Sequence, residues 1–469
     1  MFARLATALA LLLLAVPASA WGADRFETGL QDPLDPNFAE TDPGPVFDVA
    51  RDAGASVIRV PVSWASIAPT EPASPRDPAD PAYDWGWLDG RVAAIDRSGL
   101  QPLLSLYLPP RWARITGSGG QRLLAPKVDA FADFVAAAAR RYDGTGGHPR
   151  VRLWQIWNEP NLSFYLSLRR GAQRYRALVN AAYRELHSPE RGNLVVAGGQ
   201  APLGAPPGEG ISPLSYMRRM LCMRGRRDPR PSCGARASFD VWSHHPYTSG
   251  GPTHSARKPD DVSLGDLPEM RGLLAAAERA GHVTARGRVR FWVTEFSWDT
   301  KPPDPYGVPV RRHARWVAEA MYRMWASGVS LLVWFQLRDI PADAPWSPFG
   351  EAGLFFRTGD LYAGERRKPV ARVFRFPFAA IPAPRGVTLW GRTPDSAARV
   401  VTIERRAGAG WERVARVRAN RHGLFRSRRA GLEGELLRAR VGRSESLPFK
   451  AVPTPDLPVS PFGDEPLSG

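Results

Sequence analysis

Eight short apolar runs, each followed by a stretch with helical periodicity, occupy the first three quarters of the chain and leave it very few possible architectures. They begin at Arg25 (RFETGL), Val57 (VIRVPV), Gln101 (QPLLSLYL), Val151 (VRLWQIW), Asn193 (NLVVAGG), Phe239 (FDVWSHH), Val289 (VRFWVTEF) and Val329 (VSLLVWFQL). The starts recur about every 43 residues, room for a strand, a loop, a helix and a second loop. Between the runs, apolar side chains fall at three-to-four spacing. In VDAFADFVAAAARRY, for example, Phe131, Phe134, Val135 and Ala138 share one helical face. The helices WLDGRVAAIDRSG and RRHARWVAEAMYRMWASG run into Gly99 and Gly328, the residue type that closes a helix most easily. Nearly continuous apolar strands belong to a parallel sheet covered on both faces. A doubly wound sheet would carry GxGxxG or GxxxxGK after a strand, and neither pattern stands there. The expectation is therefore an α/β chain with a (β/α)8 TIM barrel over residues 21–380.

The texture changes after the eighth strand. KPVARVFRFPFAAIPAPRG leads into short alternating runs (VTLWGR, ARVVTIERR, WERVARVRA, LFRSRR, LLRARVGR) separated by Gly and Asn turns. That pattern predicts a small antiparallel β-sandwich over 385–452, followed by a Pro-rich tail, 453–469, expected to be disordered. Trp390, Trp411 and Phe425 serve this module either as core or as a ligand-binding face, with core the favoured reading.

Ahead of the barrel, Met1–Arg4 is a short basic segment and Leu5–Val16 an apolar run of twelve. Ala18-Ser19-Ala20 completes the small-x-small pattern of a secretory signal peptide over 1–20. Twelve apolar residues are too few to span a bilayer of about 30 Å as a helix. The expected product is a secreted, extracellular or envelope-associated protein with no integral membrane segment. In an oxidising compartment Cys222 and Cys233, eleven positions apart, suit a disulfide closing a surface loop.

The net charge is +17, and only five of the 63 basic residues are lysines. A coding bias toward arginine produces this without selection for a polyanion, so nucleic acid is not the expected partner. Residues 385–449 hold fifteen arginines against six acidic residues, so more than half of the excess lies in the small module.

Reactive groups of a parallel barrel project from the C-terminal ends of its strands. Strand four ends in Trp157-Asn158-Glu159-Pro160-Asn161 and strand seven in Thr294-Glu295-Phe296. Two glutamates thus stand at strand ends 136 residues apart, both able to face one groove. With WNEPN, the late TEF and the HPY of strand six, residues 22–375 resemble the glycoside hydrolase clan whose catalytic glutamates end strands four and seven. Family 5 cellulase-like and family 39 xylosidase-like enzymes are the nearest in character. The resemblance implies a retaining β-glycoside hydrolase acting on a poly- or oligosaccharide, with Glu159 as acid/base and Glu295 as nucleophile. It further implies that Asn158 holds the sugar 2-hydroxyl, His245 and Tyr247 lie between the glutamates, Arg59 lies beneath Glu295, and Trp334 is the platform for the ring. His244 precedes His245, and the His-x-Tyr spacing selects the latter. The chain departs from many family 5 enzymes at the end of strand three, where Tyr107 replaces a histidine. No metal or organic cofactor is implied. Trp64, Trp112, Trp298 and Trp346 are candidates for a groove rim or for the core, whereas Trp157 is expected in the core. A catalytically silent carbohydrate-binding or envelope protein on the same barrel remains the alternative, and oligomeric state is open.

Overall fold

The computed structural model describes residues 22–31, 44–117, 122–188, 192–204, 206, 208–340, 350–357 and 366–459. The expected leader at 1–20, Trp346 and the part of the expected tail beyond 459 lie outside the described residues. Eight parallel strands close on themselves: β1 (Glu27–Gln31), β2 (Val57–Ser63), β3 (Gln101–Tyr107), β4 (Leu153–Ile156), β5 (Leu194–Gln200), β6 (Val241–His244), β7 (Arg290–Val293) and β8 (Val329–Trp334). Each pairs with its neighbour in sequence, and β1 pairs with β8 to complete the barrel. Helices between the strands pack on the outside. The face read from VDAFADFVAAAARRY is the buried one in helix Val128–Arg141, with Phe131, Phe134, Val135 and Ala138 all inside.

The period of two along each strand decides what faces the lumen. Val57, Leu103, Leu153, Val196, Val241, Trp292, Leu331 and Val333 form one apolar cluster inside the barrel. Two residues further along three of these strands, on the same face, come Arg59, Ser105 and Gln155, all buried. Gln31 of β1 pairs in register with Arg59. A polar layer therefore lies above the apolar plug at the C-terminal end of the barrel, where the strand-end glutamates are.

The C-terminal module consists of two antiparallel sheets. One contains β9 (Phe378–Ala383), β10 (Gly386–Arg392) and β13 (Leu424–Arg429); the other is built on β11 (Val400–Ala407), β12 (Gly410–Arg418) and β14 (Leu436–Val441). The first sheet begins at Phe378, inside the stretch the sequence reading assigned to the barrel. Pro382, tolerable only on an edge strand, disguised β9. Trp390 is fully buried, edge-on to Phe26 and 5.8 Å from Trp325, so it joins the module to the barrel flank. Arg392 secures the same junction by donating to Phe26 O, Thr28 Oγ1 and Phe374 O. Phe425 is buried in the sheet, while Trp411 lies under the guanidinium of Arg438 at 4.3 Å.

Cys222 and Cys233 form a disulfide, with Cα atoms 5.2 Å apart, around the hairpin Met223–Arg224/Arg230–Pro231. The expected disorder of the tail is corrected over 453–459. Arg315 donates to Val452 O at 2.8 Å and to Thr454 Oγ1 at 3.1 Å, and Thr454 bonds Glu319. Asp456 accepts from Gly251 N at 2.8 Å and meets His254 at 2.9 Å, and Val459 N donates to Ser249 O. Proline-rich composition disfavours helix and sheet, but it does not prevent an extended segment from docking through such bonds.

Candidate active site

Arg59 is the hub of the polar layer. Its Nε donates to Gln155 Oε1 (3.2 Å), Nη1 to Gln31 Oε1 (2.7 Å) and Glu295 Oε2 (3.3 Å), and Nη2 to Asn158 Oδ1 (2.6 Å) and Ser105 Oγ (3.4 Å). A buried guanidinium is tolerable only when paired and hydrogen-bonded in this way. Two consequences follow for the groups around it. Glu295 is held against a fixed cation, and the Asn158 carbonyl oxygen accepts from Arg59, so the amide NH2 is the end of this side chain that can serve as a donor.

The chain turns sharply at the end of β4. Trp157 and Glu159 adopt positive φ (73° and 40°), uncommon for residues other than glycine. Glu159 N bonds Gly199 O, and Asn161 holds the next loop through Ala201 N at 2.9 Å and Ile211 O at 3.1 Å. Gly199 is itself required: a Cβ there would come within 2.6 Å of Gln155 Nε2. The second asparagine of WNEPN is thus a brace between two barrel loops.

His245 joins the two glutamates. Its Nδ1 lies 3.0 Å from Glu159 Oε1 and 3.3 Å from Glu295 Oε2. Two oxygens on one nitrogen are separated by no more than the sum of those distances. That is less than the roughly 6.5–9.5 Å needed to seat a water between paired carboxyls. Burial pushes the imidazole pKa down to about 3, so the ring is neutral. With carboxylates at Nδ1, that nitrogen carries the hydrogen, and Nε2 accepts from Thr294 Oγ1 at 3.2 Å. Alternation along β6 explains why this histidine is the one in the site. Val241, Ser243 and His245 face inward, while His244 faces outward and bonds Val262 O.

Tyr247 donates to Glu295 Oε1 at 3.2 Å, and burial together with both carboxylates holds its phenol protonated. Glu295 therefore receives Arg59, Tyr247 and His245, whereas Glu159 receives His245. The side chains of Glu159 and Glu295 are 15% and 17% exposed, so both reach the opening. Burial raises the Glu159 pKa to about 7, partly opposed by Arg59.

That shift has a sign for stability. A carboxyl whose folded pKa exceeds its unfolded value favours folding at low pH, and the contribution is lost as pH rises through the folded value. From 4.5 to about 7 the native state loses about 3 kcal/mol. Glu159→Gln is expected to stabilise the protein by that order at pH well above 7 and to be near neutral in acid. Denaturant melts at both pH values check this.

The loop carrying Tyr247 is held from behind by the tail, since Val459 and Asp456 bond Ser249 and Gly251. Asp456→Ala removes two bonds from an exposed carboxylate and should cost about 1 kcal/mol. Calorimetry would register this as a Tm lower by about 1 °C.

Two of the proposed aromatic contacts, Trp334 and Trp64, are corrected, and Trp298, left between rim and core, lies in the core. Trp334 is 0% exposed, its Nε1 donates to Ala352 O at 2.8 Å, and it packs against Phe296 and His313 outside the barrel. Leu331 and Val333 face the lumen, so the same parity puts Phe335, which is partly exposed, at the mouth instead. Trp64 is buried in a stack with Phe134, centroids 5.2 Å apart. Trp298 is buried against Trp316 and donates to Gly250 O. Trp112, half-buried, packs edge-on to Trp64, and Trp157 is fully buried with Nε1 on Tyr165 O. Sequence reasoning missed Gln31, Ser105, Gln155, Thr294 and Phe335. Counting inward positions by twos from the apolar lumen residues would have found Ser105, Gln155, Thr294 and Phe335, and Gln31 follows from its register with Arg59.

No family model matches the chain. A chloroplastic beta-glucosidase-like SFR2 protein of Oryza sativa subsp. japonica is 30% identical over 138 residues, 28% of this chain and 20% of that protein. The chain thus spans about a fifth of this relative. Among solved structures, a family 39 glycoside hydrolase from Bacteroides cellulosilyticus superposes with TM-score 0.51 and 15% identity, covering 87% of this chain and 80% of the other. A monomeric beta-xylosidase from Caulobacter crescentus gives 0.51 and 16% over 83% and 75%. A glucosidase from Croceicoccus marinus gives 0.50 and 16% over 87% and 94%. The chain shares the fold of these glycoside hydrolases, an eight-stranded parallel barrel followed by a β-module.

Proposed function

We propose that the protein is an exported retaining β-glycoside hydrolase, with Glu295 as nucleophile and Glu159 as acid/base. The observation that carries this reading is the single ring nitrogen of His245 within 3.0 Å of one carboxylate and 3.3 Å of the other, a closeness that favours direct displacement over a water seated between them. In the first step a Glu295 oxygen bonds to the anomeric carbon while Glu159 gives its proton to the departing glycosidic oxygen, and the bond between that oxygen and the anomeric carbon breaks. In the second, Glu159 takes a proton from water, the resulting hydroxide oxygen bonds to the anomeric carbon, and the ester to Glu295 is released. Arg59 and Tyr247 hold Glu295 in its attacking position, and the Asn158 NH2 meets the sugar 2-hydroxyl. Phe335 offers the ring face first expected of Trp334.

The relatives described as xylosidases and glucosidases favour a β-xyloside or β-glucoside as the sugar. Export is supported by the leader-like residues 1–20 and by the Cys222–Cys233 disulfide, a bond that persists in oxidising compartments. A panel of 4-nitrophenyl β-glycosides tests the activity. Release from the xyloside or glucoside is expected, and release from no β-glycoside across the acid-to-neutral range would overturn the reading.

A further inference from the structure

We propose that Tyr107, Phe164 and Tyr165 form the leaving-group site of this pocket, and that it selects substrates whose leaving group is a ring with a flat apolar face. The inference rests on the hydrolase reading above and goes beyond it by naming what lies on the far side of the scissile bond. Glu159 protonates the departing oxygen, so the leaving group must lie on the Glu159 side of the pocket.

Topology puts the aromatic cluster on that side. Tyr107 ends β3, the strand paired with β4, on the edge of β4 away from β5, β6 and β7. Phe164 and Tyr165 come five and six residues after Glu159, in a loop held by Leu162 N to Glu159 O and by Tyr165 N to Leu162 O. Trp157 Nε1 fixes Tyr165 O at 3.0 Å, and Ser163 N bonds Glu209 O. These bonds tie the aromatic surface rigidly to the acid/base.

The rings make an angled wall. Phe164 and Tyr165 have centroids 4.4 Å apart at 43°, and Tyr165 and Tyr107 6.0 Å apart at 59°. Phe164 is 57% exposed, one of the few large apolar side chains left open to solvent among the described residues. Both tyrosines are partly exposed; burial raises both phenols, helped at Tyr165 by Glu159 and then Glu295 and opposed at Tyr107 by Arg59, so both stay protonated and able to donate to a leaving group's hydroxyls. A stack of this kind suits the C–H face of a pyranose or the face of an aryl group.

The test compares wild type with Phe164→Ala on three β-glycosides of the sugar that the panel identifies: the glycosyl fluoride, the 4-nitrophenyl glycoside and a disaccharide. The fluoride presents no ring to the wall. The account predicts that kcat/KM falls about five- to ten-fold on the ring-bearing substrates and less than about two-fold on the fluoride. Phe164→Trp, which keeps a flat face, should restore the loss. A loss confined to the aryl glycoside or to the disaccharide supports the site and identifies the occupant. An equal loss on all three, or none on either ring substrate, overturns it. If wild type turns over none of the three, the hydrolase reading fails and the site falls with it.

Discussion

Glu295→Ala is expected to reduce kcat by more than about 10⁴-fold, because it removes the only group proposed to bond the anomeric carbon. Substrate binding should persist, since Asn158, Phe335 and the aromatic wall are untouched. The substitution leaves a gap beside Arg59 Nη1 and the Tyr247 hydroxyl, two donors that had converged on Glu295 at 3.3 and 3.2 Å. A small anion fits that gap. Azide should therefore restore turnover and yield a glycosyl azide of inverted configuration, because it enters from the face that Glu295 had occupied. Gas-free stopped assays with and without azide, followed by NMR of the product, measure both effects. Undiminished hydrolysis by the variant would remove Glu295 from its assigned role.

Glu159→Ala should separate substrates by their leaving groups. Where the departing oxygen needs a proton, kcat/KM should fall about 10²–10⁴-fold. Activated aryl glycosides need little protonation, so their first step should be nearly preserved. Without a base to activate water, the glycosyl-enzyme should then accumulate, giving a burst followed by slow turnover. Azide would release it with retained configuration, the opposite outcome to that at Glu295. The pH profile carries the same signature. Wild type needs Glu159 protonated, and burial places its pKa at about 7, so kcat/KM should decline as pH rises through that value. In Glu159→Ala that decline should vanish for activated substrates. A basic limb that persists unchanged would assign it to another group.

Most of the framework was legible in the sequence because barrel geometry is periodic. Apolar runs about every 43 residues specify the repeat, and strand ends specify where chemistry projects. Glu159, Glu295, Arg59, Asn158, His245 and Tyr247, read from six separate positions, all enter one network of hydrogen bonds and ion contacts in the structure, closed by His245 against Glu295. The aromatic residues were harder, for a physical reason. A tryptophan serves a core as well as a sugar, and a shift of one residue reverses the face on which it lies. Trp334 and Phe335 are adjacent, yet one is sealed outside the barrel and the other stands at the mouth. The same parity separates His244 from His245, and there the His-x-Tyr spacing supplied the register that strand eight lacked. Phe164 and Tyr165 belong to a loop, whose course depends on hydrogen bonds to Trp157, Glu159 and Glu209 that no local pattern announces. The docking of 453–459 depends in the same way on partners far away in sequence, Ser249, Gly251 and Arg315.

The central claim is that Glu159 and Glu295 act on one anomeric carbon by two successive displacements. Proton NMR of the first sugar released from an aryl β-glycoside, recorded before mutarotation, tests it most directly. The account predicts the β anomer at the earliest times. The α anomer as first product would mean a single displacement by water and would contradict the geometry proposed for the two carboxylates.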